Sequence, residues 1–163
     1  VRGGHVRWGQ RSRRRAVTVT DPPGTLPPMS ETAATSTGSP TGTSTVLVAT
    51  DADHVHDEVN AALEGDHTVV RVHTGAEVLA AVAAHEPALV VLDLQIGNMG
   101  GMATCMDLRL EQRADRIPEQ RIVMLLDRDA DAFLAQRAEA DAWMVKPVDA
   151  LILRRTARDV LAT

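Results

Sequence analysis

The segment VVLDLQIGNMGG, residues 90–101, places one carboxylate, Asp93, inside an apolar run that ends in a glycine-rich loop. A carboxylate in such a run has two explanations. It lies either at the end of a buried strand, where it faces a pocket, or in the core, where it is costly unless it is paired. The pattern on both sides of the segment separates these explanations.

Short apolar runs alternate with segments of helical periodicity from Thr45 onward. This alternation predicts an α/β fold, a doubly wound parallel sheet with helical crossovers on both faces. The runs lack alternating polarity, as expected for strands that are covered on both faces. The predicted strands are TVLVAT (45–50), HTVVRVH (67–73), ALVVLDL (88–94), RIVMLLD (121–127) and AWMVK (142–146), and the predicted helices are 53–65, 75–87, 100–112, 129–140 and 148–162.

Local signals indicate helix ends and core positions. Asp53 is predicted to cap the first helix and Gly65 to end it. Cys105 is predicted to be a core residue rather than a redox centre. The residues predicted along the third helix are Met102, Met106, Leu110 and either Leu108 or Arg109, and the last helix is partly one-sided, with Leu151, Ile152, Arg155 and Val160.

Polar residues occupy the carboxyl ends of the predicted strands, where doubly wound sheets bind ligands. Asp51 follows the first strand, Asp93 lies in the third and Lys146 ends the fifth. Neighbouring carboxylates repel each other unless a cation separates them, and oxygen ligands with room for water suit Mg²⁺. A lysine can contact a phosphoryl oxygen, and an Asp carboxylate can be the nucleophile toward phosphorus. These residue types favour phosphoryl chemistry at this edge.

The lysine itself is informative, because the chain has sixteen arginines and only one lysine. Retention of Lys146 in so arginine-rich a chain indicates that a compact ammonium is required at this strand end. The alternative is a lysine that survived by chance on a solvated surface.

Together, Asp51 after VLVAT, the segment LVVLDLQIGNMGG and the segment WMVKP resemble a response regulator receiver domain over residues 45–162. The resemblance implies a flavodoxin-like receiver fold with five strands in the order 2-1-3-4-5. It also implies phosphorylation on Asp93 and phosphate contact from Lys146, which is followed by Pro147 in a bond that is often cis. Mg²⁺ would be held by Asp51, Asp93 and the main-chain carbonyl of Gln95.

Three positions depart from the family pattern, and Trp143 replaces the usual Tyr or Phe. Thr50 stands where the family has an acid, so the metal site has one acid fewer. Gly97 replaces a proline, which loosens the loop. Leu126 replaces the Ser or Thr whose hydroxyl would bond the phosphoryl group. The ending of the chain resembles an atypical, stand-alone, actinobacterial group of receivers.

Composition separates a tail from the domain. Residues 1–45 carry a net charge of +4, which leaves −9 for residues 46–163 and argues against nucleic acid as the main partner. Residues 1–44, basic and then rich in Pro, Ser and Thr, are predicted to be a disordered tail, unless Met29 is the true start. The single cysteine and the lack of a long apolar run predict a cytoplasmic protein without a membrane partner.

The leading functional hypothesis is a single-domain response regulator, not an enzyme, that receives a phosphoryl group from a sensor histidine kinase or phosphotransfer protein. Because no output domain follows Thr163, output is expected through a downstream protein partner or a homodimer. One alternative is a pseudo-receiver that acts as a protein-interaction module without phosphorylation. Another is a phosphate-ester hydrolase, which is disfavoured because Gln95 replaces the general acid of such enzymes.

Overall fold

The computed structural model describes residues 7–8 and 43–163. The strands are β1 (Arg7–Trp8), β2 (Ser44–Ala49), β3 (His67–Val72), β4 (Leu89–Asp93), β5 (Ile122–Leu126) and β6 (Ala142–Val145). The helices are α1 (Asp53–Leu63), α2 (Val78–His85), α3 (Gly101–Arg113), α4 (Ala132–Arg137) and α5 (Ala150–Leu161). All five predicted strands and all five predicted helices are therefore present at the predicted places.

The sheet order is β1-β6-β5-β4-β2-β3. Strands β2 to β6 are parallel to their neighbours, and their order corresponds to 2-1-3-4-5, as the resemblance implies. The short β1 pairs antiparallel with β6, with Arg7 opposite Trp143. The rest of residues 1–42, including Met29, lies outside the described residues, so the disordered tail and the alternative start stay predictions.

Two apolar layers enclose the sheet. Helices α1 and α5 pack on one face, where Val55, Val59 and Leu153 are buried against the strands. Helices α2, α3 and α4 cover the other face, where Cys105 is fully buried, as predicted. Burial on both faces explains why the strand sequences lack alternating polarity.

Several helix predictions were wrong in detail. The predicted second and fourth helices each begin with a 3-10 turn, Gly75–Glu77 and Asp129–Asp131, so α2 and α4 are shorter than expected. Met106 and Leu110 of α3 are 44% and 56% exposed, and Leu151 of α5 is 78% exposed. The buried side of α3 consists of Thr104, Cys105, Leu108 and Arg109, so both of the alternatives at 108 and 109 are buried. The buried side of α5 consists of Leu153, Thr156, Ala157 and the predicted Val160.

Asp53 is not the helix cap that the sequence predicted. It is the first residue of α1, whose N-cap is Ala52 and has no side-chain capping bond. The Asp53 carboxylate instead accepts a hydrogen bond of 2.8 Å from Arg71 Nη1. The Asp53 side chain therefore pairs with a tertiary partner, which local capping patterns do not reveal. Gly65 follows the helix with φ of +91°, as expected for a glycine at a helix end.

Close backbone packing sets the position of the loop that follows β4. A Cβ at Gly101 would lie 2.3 Å from the Asp93 carbonyl oxygen, so α3 begins directly against the end of β4. Glycine at this position therefore permits the close approach of the helix to the strand end.

Candidate functional site

Asp93 is the last residue of β4 and lies opposite Leu125 of β5. It is 1% exposed, so its carboxylate is at a strand end and also buried. The amide nitrogen of Gln95 donates a hydrogen bond of 3.1 Å to Asp93 Oδ1. Asp93 therefore lies at a strand end, as the first explanation of the apolar run requires. It is also buried and paired, as the second explanation requires.

Lys146 follows β6, where its amide donates to the Leu126 carbonyl. Its ammonium Nζ lies 2.9 Å from Asp93 Oδ1 and 3.0 Å from Asp127 Oδ1. Burial alone would lower the pKa of Lys146, but the hydrogen bonds and charges of the two carboxylates outweigh it and raise the pKa. The bond to Pro147 is cis. The lysine is thus held as a cation between two acids.

Thr50 also belongs to this cluster of side chains, although its position in the sequence indicates only that an acid is missing there. Its side chain is fully buried, and its hydroxyl donates a hydrogen bond of 2.9 Å to Asp93 Oδ2. The amide of Ala52 donates to the same hydroxyl oxygen over 3.2 Å. A polar residue directly after a strand of this edge was the available signal.

Asp51 lies beside this group and is exposed. Its Oδ2 accepts a hydrogen bond of 3.1 Å from the amide of Gly97 in the loop after β4. A Cβ at Gly97 would come within 3.1 Å of that oxygen, so a larger residue would crowd the carboxylate. The loop that departs from the family pattern therefore contacts the acidic residue directly.

Arg71, at the end of β3, holds the loop that carries Thr50 and Asp51. Its Nε donates to the Thr50 carbonyl over 3.1 Å, and its Nη1 pairs with Asp53. The side-chain hydrogen bond and the charge of Arg71 lower the pKa of Asp53. Arg71 Nη2 is buried and has no hydrogen-bond partner among the described residues. No sequence pattern identifies Arg71, because its contacts with Thr50 and Asp53 join β3 to the segment that follows β2.

At the end of β5, Leu126 is fully buried, and its side chain belongs to the core on the α3 face. Asp127 follows, with its carboxylate on Lys146. The strand end therefore offers an apolar side chain and a carboxylate that pairs with Lys146.

A family model described as the response regulator receiver domain matches residues 46–158. The chain belongs to the receiver domain family. This receiver domain is similar to the transcriptional regulatory protein AfsQ1 of Streptomyces coelicolor, with 31% identity over 97 residues. The matched region covers 58% of this chain but only 40% of AfsQ1, so the chain spans less than half of that relative.

Solved receiver structures share the fold. The chemotaxis protein CheY4 of Vibrio cholerae is 20% identical, with a TM-score of 0.63 and coverage of 73% of this chain and 99% of CheY4. The BeF3-activated receiver domain of RstA from Klebsiella pneumoniae is 26% identical, with a TM-score of 0.64 and coverage of 73% and 99%. The family match therefore identifies residues 46–158 as a receiver domain of the two-component response regulator type.

Receiver domains generally bind Mg²⁺ at the phosphorylation site. For this chain the resemblance implies the carboxylates of Asp51 and Asp93 and the carbonyl of Gln95 as ligands, and this assignment stays a prediction. Within the described residues, no group of three His, Cys, Asp or Glu side chains could hold a metal ion. The ligands are nevertheless hard oxygens, which fit a cation that retains several waters.

Other predicted residues have defined places in the receiver domain. Trp143 lies on β6, is 5% exposed and packs in the core of the α3 face. In the described part of the chain, no helix is long and apolar enough to cross a membrane.

Proposed function

We propose that this receiver domain accepts a phosphoryl group on Asp93 and that phosphorylation changes its contacts with other proteins. The observation that carries the proposal is the ammonium of Lys146 at 2.9 Å from Asp93 Oδ1, at the end of the central strand β4. The same oxygen accepts the Gln95 amide. An anionic group on Oδ1 would therefore meet a cation and a backbone donor.

The proposed reaction is nucleophilic displacement at phosphorus. Asp93 Oδ1 forms a bond to phosphorus, while the bond from phosphorus to the donor's leaving group breaks and its electron pair leaves with that group. Lys146 would compensate the negative charge on the transferred group. When bound to Asp51, Asp93 and the Gln95 carbonyl, Mg²⁺ would supply further charge compensation.

Leu126 limits how well such a group is held. Its side chain cannot donate, so the phosphoryl group would lack one hydrogen bond to a charged partner, worth about 1.5 to 3 kcal/mol. Asp127 also competes for Lys146. We therefore expect weaker or shorter-lived phosphorylation than a receiver with a hydroxyl at this strand end would show, but not its loss.

Response regulators interact with histidine kinases or phosphotransfer proteins. For this chain we propose one of these as the phosphoryl donor, and a downstream protein or a second copy of the chain as the output partner. The charge of −9 over residues 46–163 supports protein partners rather than nucleic acid, because like charges repel. The relative AfsQ1 is named a transcriptional regulatory protein.

The acceptor is tested with a small phosphodonor and Mg²⁺, followed by intact-mass measurement. Wild type should gain one phosphoryl mass, and Asp93→Asn should gain none. Asp127→Asn is the matched control, since it also removes a carboxylate from Lys146 but should still be labelled. Labelling of Asp93→Asn would show that another residue is the acceptor.

The role of position 126 is tested by titrating beryllofluoride with Mg²⁺ and following Trp143 fluorescence in a Trp8→Phe background. Leu126→Thr should tighten the response about tenfold, the effect of about 1.4 kcal/mol. Leu126→Val is the matched control, because valine has the shape of threonine without the hydroxyl. If all three proteins are folded and silent, the pseudo-receiver hypothesis replaces the proposed phosphorylation.

A further inference from the structure

The two oxygens of Asp93 have different partners. Oδ1 accepts from the Lys146 ammonium and the Gln95 amide. Oδ2 accepts from the Thr50 hydroxyl at 2.9 Å. One oxygen of the carboxylate therefore contacts a cation, and the other contacts a hydroxyl donor.

The orientation of the Thr50 hydroxyl is well determined. The Ala52 amide donates to its oxygen over 3.2 Å, so the hydroxyl proton is directed to Asp93 Oδ2. The Thr50 backbone is held on both sides, since its amide donates to the Val72 carbonyl and its carbonyl accepts from Arg71 Nε. The whole side chain is buried, so it cannot easily turn away.

Electrostatics separate the places of a divalent cation and of Lys146. A dication is repelled by the ammonium on Oδ1, so Oδ2 is the more favourable oxygen for it. Asp51, the second carboxylate, directly follows Thr50 in the chain and extends from the same loop. However, the proton that Thr50 directs at Oδ2 also repels a dication at that oxygen.

We propose that the Thr50 hydroxyl acts as an internal substitute for the metal at Asp93 Oδ2. It stabilises the buried carboxylate in the metal-free receiver, and it lowers the affinity for divalent cations because its proton competes with the cation for the negative charge of Oδ2. Arg71 is a positioning residue that keeps the Thr50 backbone in place. This inference rests on the proposed function, since it concerns the metal that assists phosphorylation of Asp93.

The test measures Mn²⁺ binding to the full chain by the loss of the free-ion signal in electron paramagnetic resonance, with Mg²⁺ as competitor. Thr50→Val should bind Mn²⁺ about tenfold more tightly than wild type, the factor for one hydrogen bond to a charged group. Thr50→Ser should retain the wild-type affinity. Thr156→Val, at an equally buried threonine of α5, is the matched control and should also bind as wild type.

A second measurement compares thermal unfolding in chelator and in Mg²⁺. Thr50→Val should unfold at a lower temperature than wild type in chelator and gain more from Mg²⁺, whereas Thr156→Val should gain only as much as wild type. If Thr50→Val does not fold, Thr50→Ala removes the same hydroxyl with a smaller side chain.

Equal or weaker Mn²⁺ binding by Thr50→Val would overturn the inference and leave the proposed phosphorylation intact. Failure of both wild type and Thr50→Val to bind Mn²⁺ would overturn the inference together with the proposed metal site. Phosphodonor labelling of wild type and Asp93→Asn would then report separately on the acceptor.

Discussion

Cation–carboxylate pairs lie at both ends of the sheet, and they are built differently. At the amino end, Arg109 of α3 is 4% exposed and pairs with Asp141 at 2.8 Å. At the carboxyl end, Lys146 pairs with Asp93 at 2.9 Å. One pair uses a guanidinium and the other an ammonium, in a chain whose only lysine is Lys146.

The partners show why the two cations differ. All five N–H donors of Arg109 are used, on the Gln120 carbonyl, the Glu139 carbonyl, the Gln112 side chain and Asp141. Asp141 Oδ2 also accepts the Ile122 amide at the start of β5. Such a saturated planar fork has one geometry and ties α3 to the strand starts.

Lys146 is a point charge shared by Asp93 and Asp127, and such a charge can follow a new anion without a fixed geometry. The comparison therefore distinguishes a pair that stabilises the fold from a pair that can exchange partners. Four measurements test this distinction.

The largest effect is expected for Arg109→Met. The change leaves the Asp141 carboxylate without its buried cation and should lower the free energy of unfolding by about 3 to 5 kcal/mol in a denaturant titration. The control is Arg113→Met, on the same helix as Arg109. It breaks only an exposed pair with Glu139 and should lower the free energy of unfolding by less than about 1 kcal/mol. Similar losses for both variants would mean that the Arg109 pair is not a special structural element.

As pH rises above 9, the free energy of unfolding should fall first because of Cys105, which lies on α3 with Arg109, and only later because of Lys146. Burial raises the pKa of Cys105 from 9.0 to about 12. Above pH 9 the unfolded thiol ionises while the folded one stays protonated, so stability falls as pH rises. Between pH 9 and the ordinary lysine pKa of 10.5, the loss should be about 2 kcal/mol.

Cys105→Ser provides the control, because serine does not titrate in this range. Its unfolding free energy should be lower at neutral pH but nearly constant between pH 9 and 10.5. The chain has no tyrosine, which removes the other common group of this range. A wild-type protein with constant stability over the same interval would contradict the expectation.

Lys146→Met should lower the free energy of unfolding by about 1 to 2 kcal/mol, which is less than the loss expected for Arg109→Met. The loss is smaller because Asp93 keeps the Thr50 hydroxyl and the Gln95 amide as donors. The raised pKa of Lys146 also has a pH consequence. Its stabilisation is complete below pH 10.5 and is lost as pH rises through the higher folded pKa. The variant should lack that further loss, and unfolding titrations above pH 10.5 would reveal it.

The smallest effect is expected for Asp53→Asn. Its pair with Arg71 is exposed on the Asp53 side, and Asp53 does not cap α1. The melting temperature should therefore not change measurably. A clear decrease, of the size that loss of a helix cap causes, would mean that this exposed pair stabilises the carboxyl end measurably.

The order of strands and helices could be read from the sequence, because apolar periodicity reflects which faces are covered. The same logic placed Asp51, Asp93 and Lys146 at one edge, since parallel strands end at the same side of a sheet. The tertiary contacts confirm that Lys146 reaches Asp93.

Only the tertiary structure decided the contacts between residues that no local sequence pattern connects. Thr50 donates to Asp93 across 43 positions of the chain, and Arg71 donates to Asp53 across 18. Arg109 is buried because carbonyls of distant loops supply its acceptors, although its residue type favours the surface. A sequence pattern records which side chains prefer burial, whereas hydrogen-bond partners depend on distances that exist only after the strands have paired.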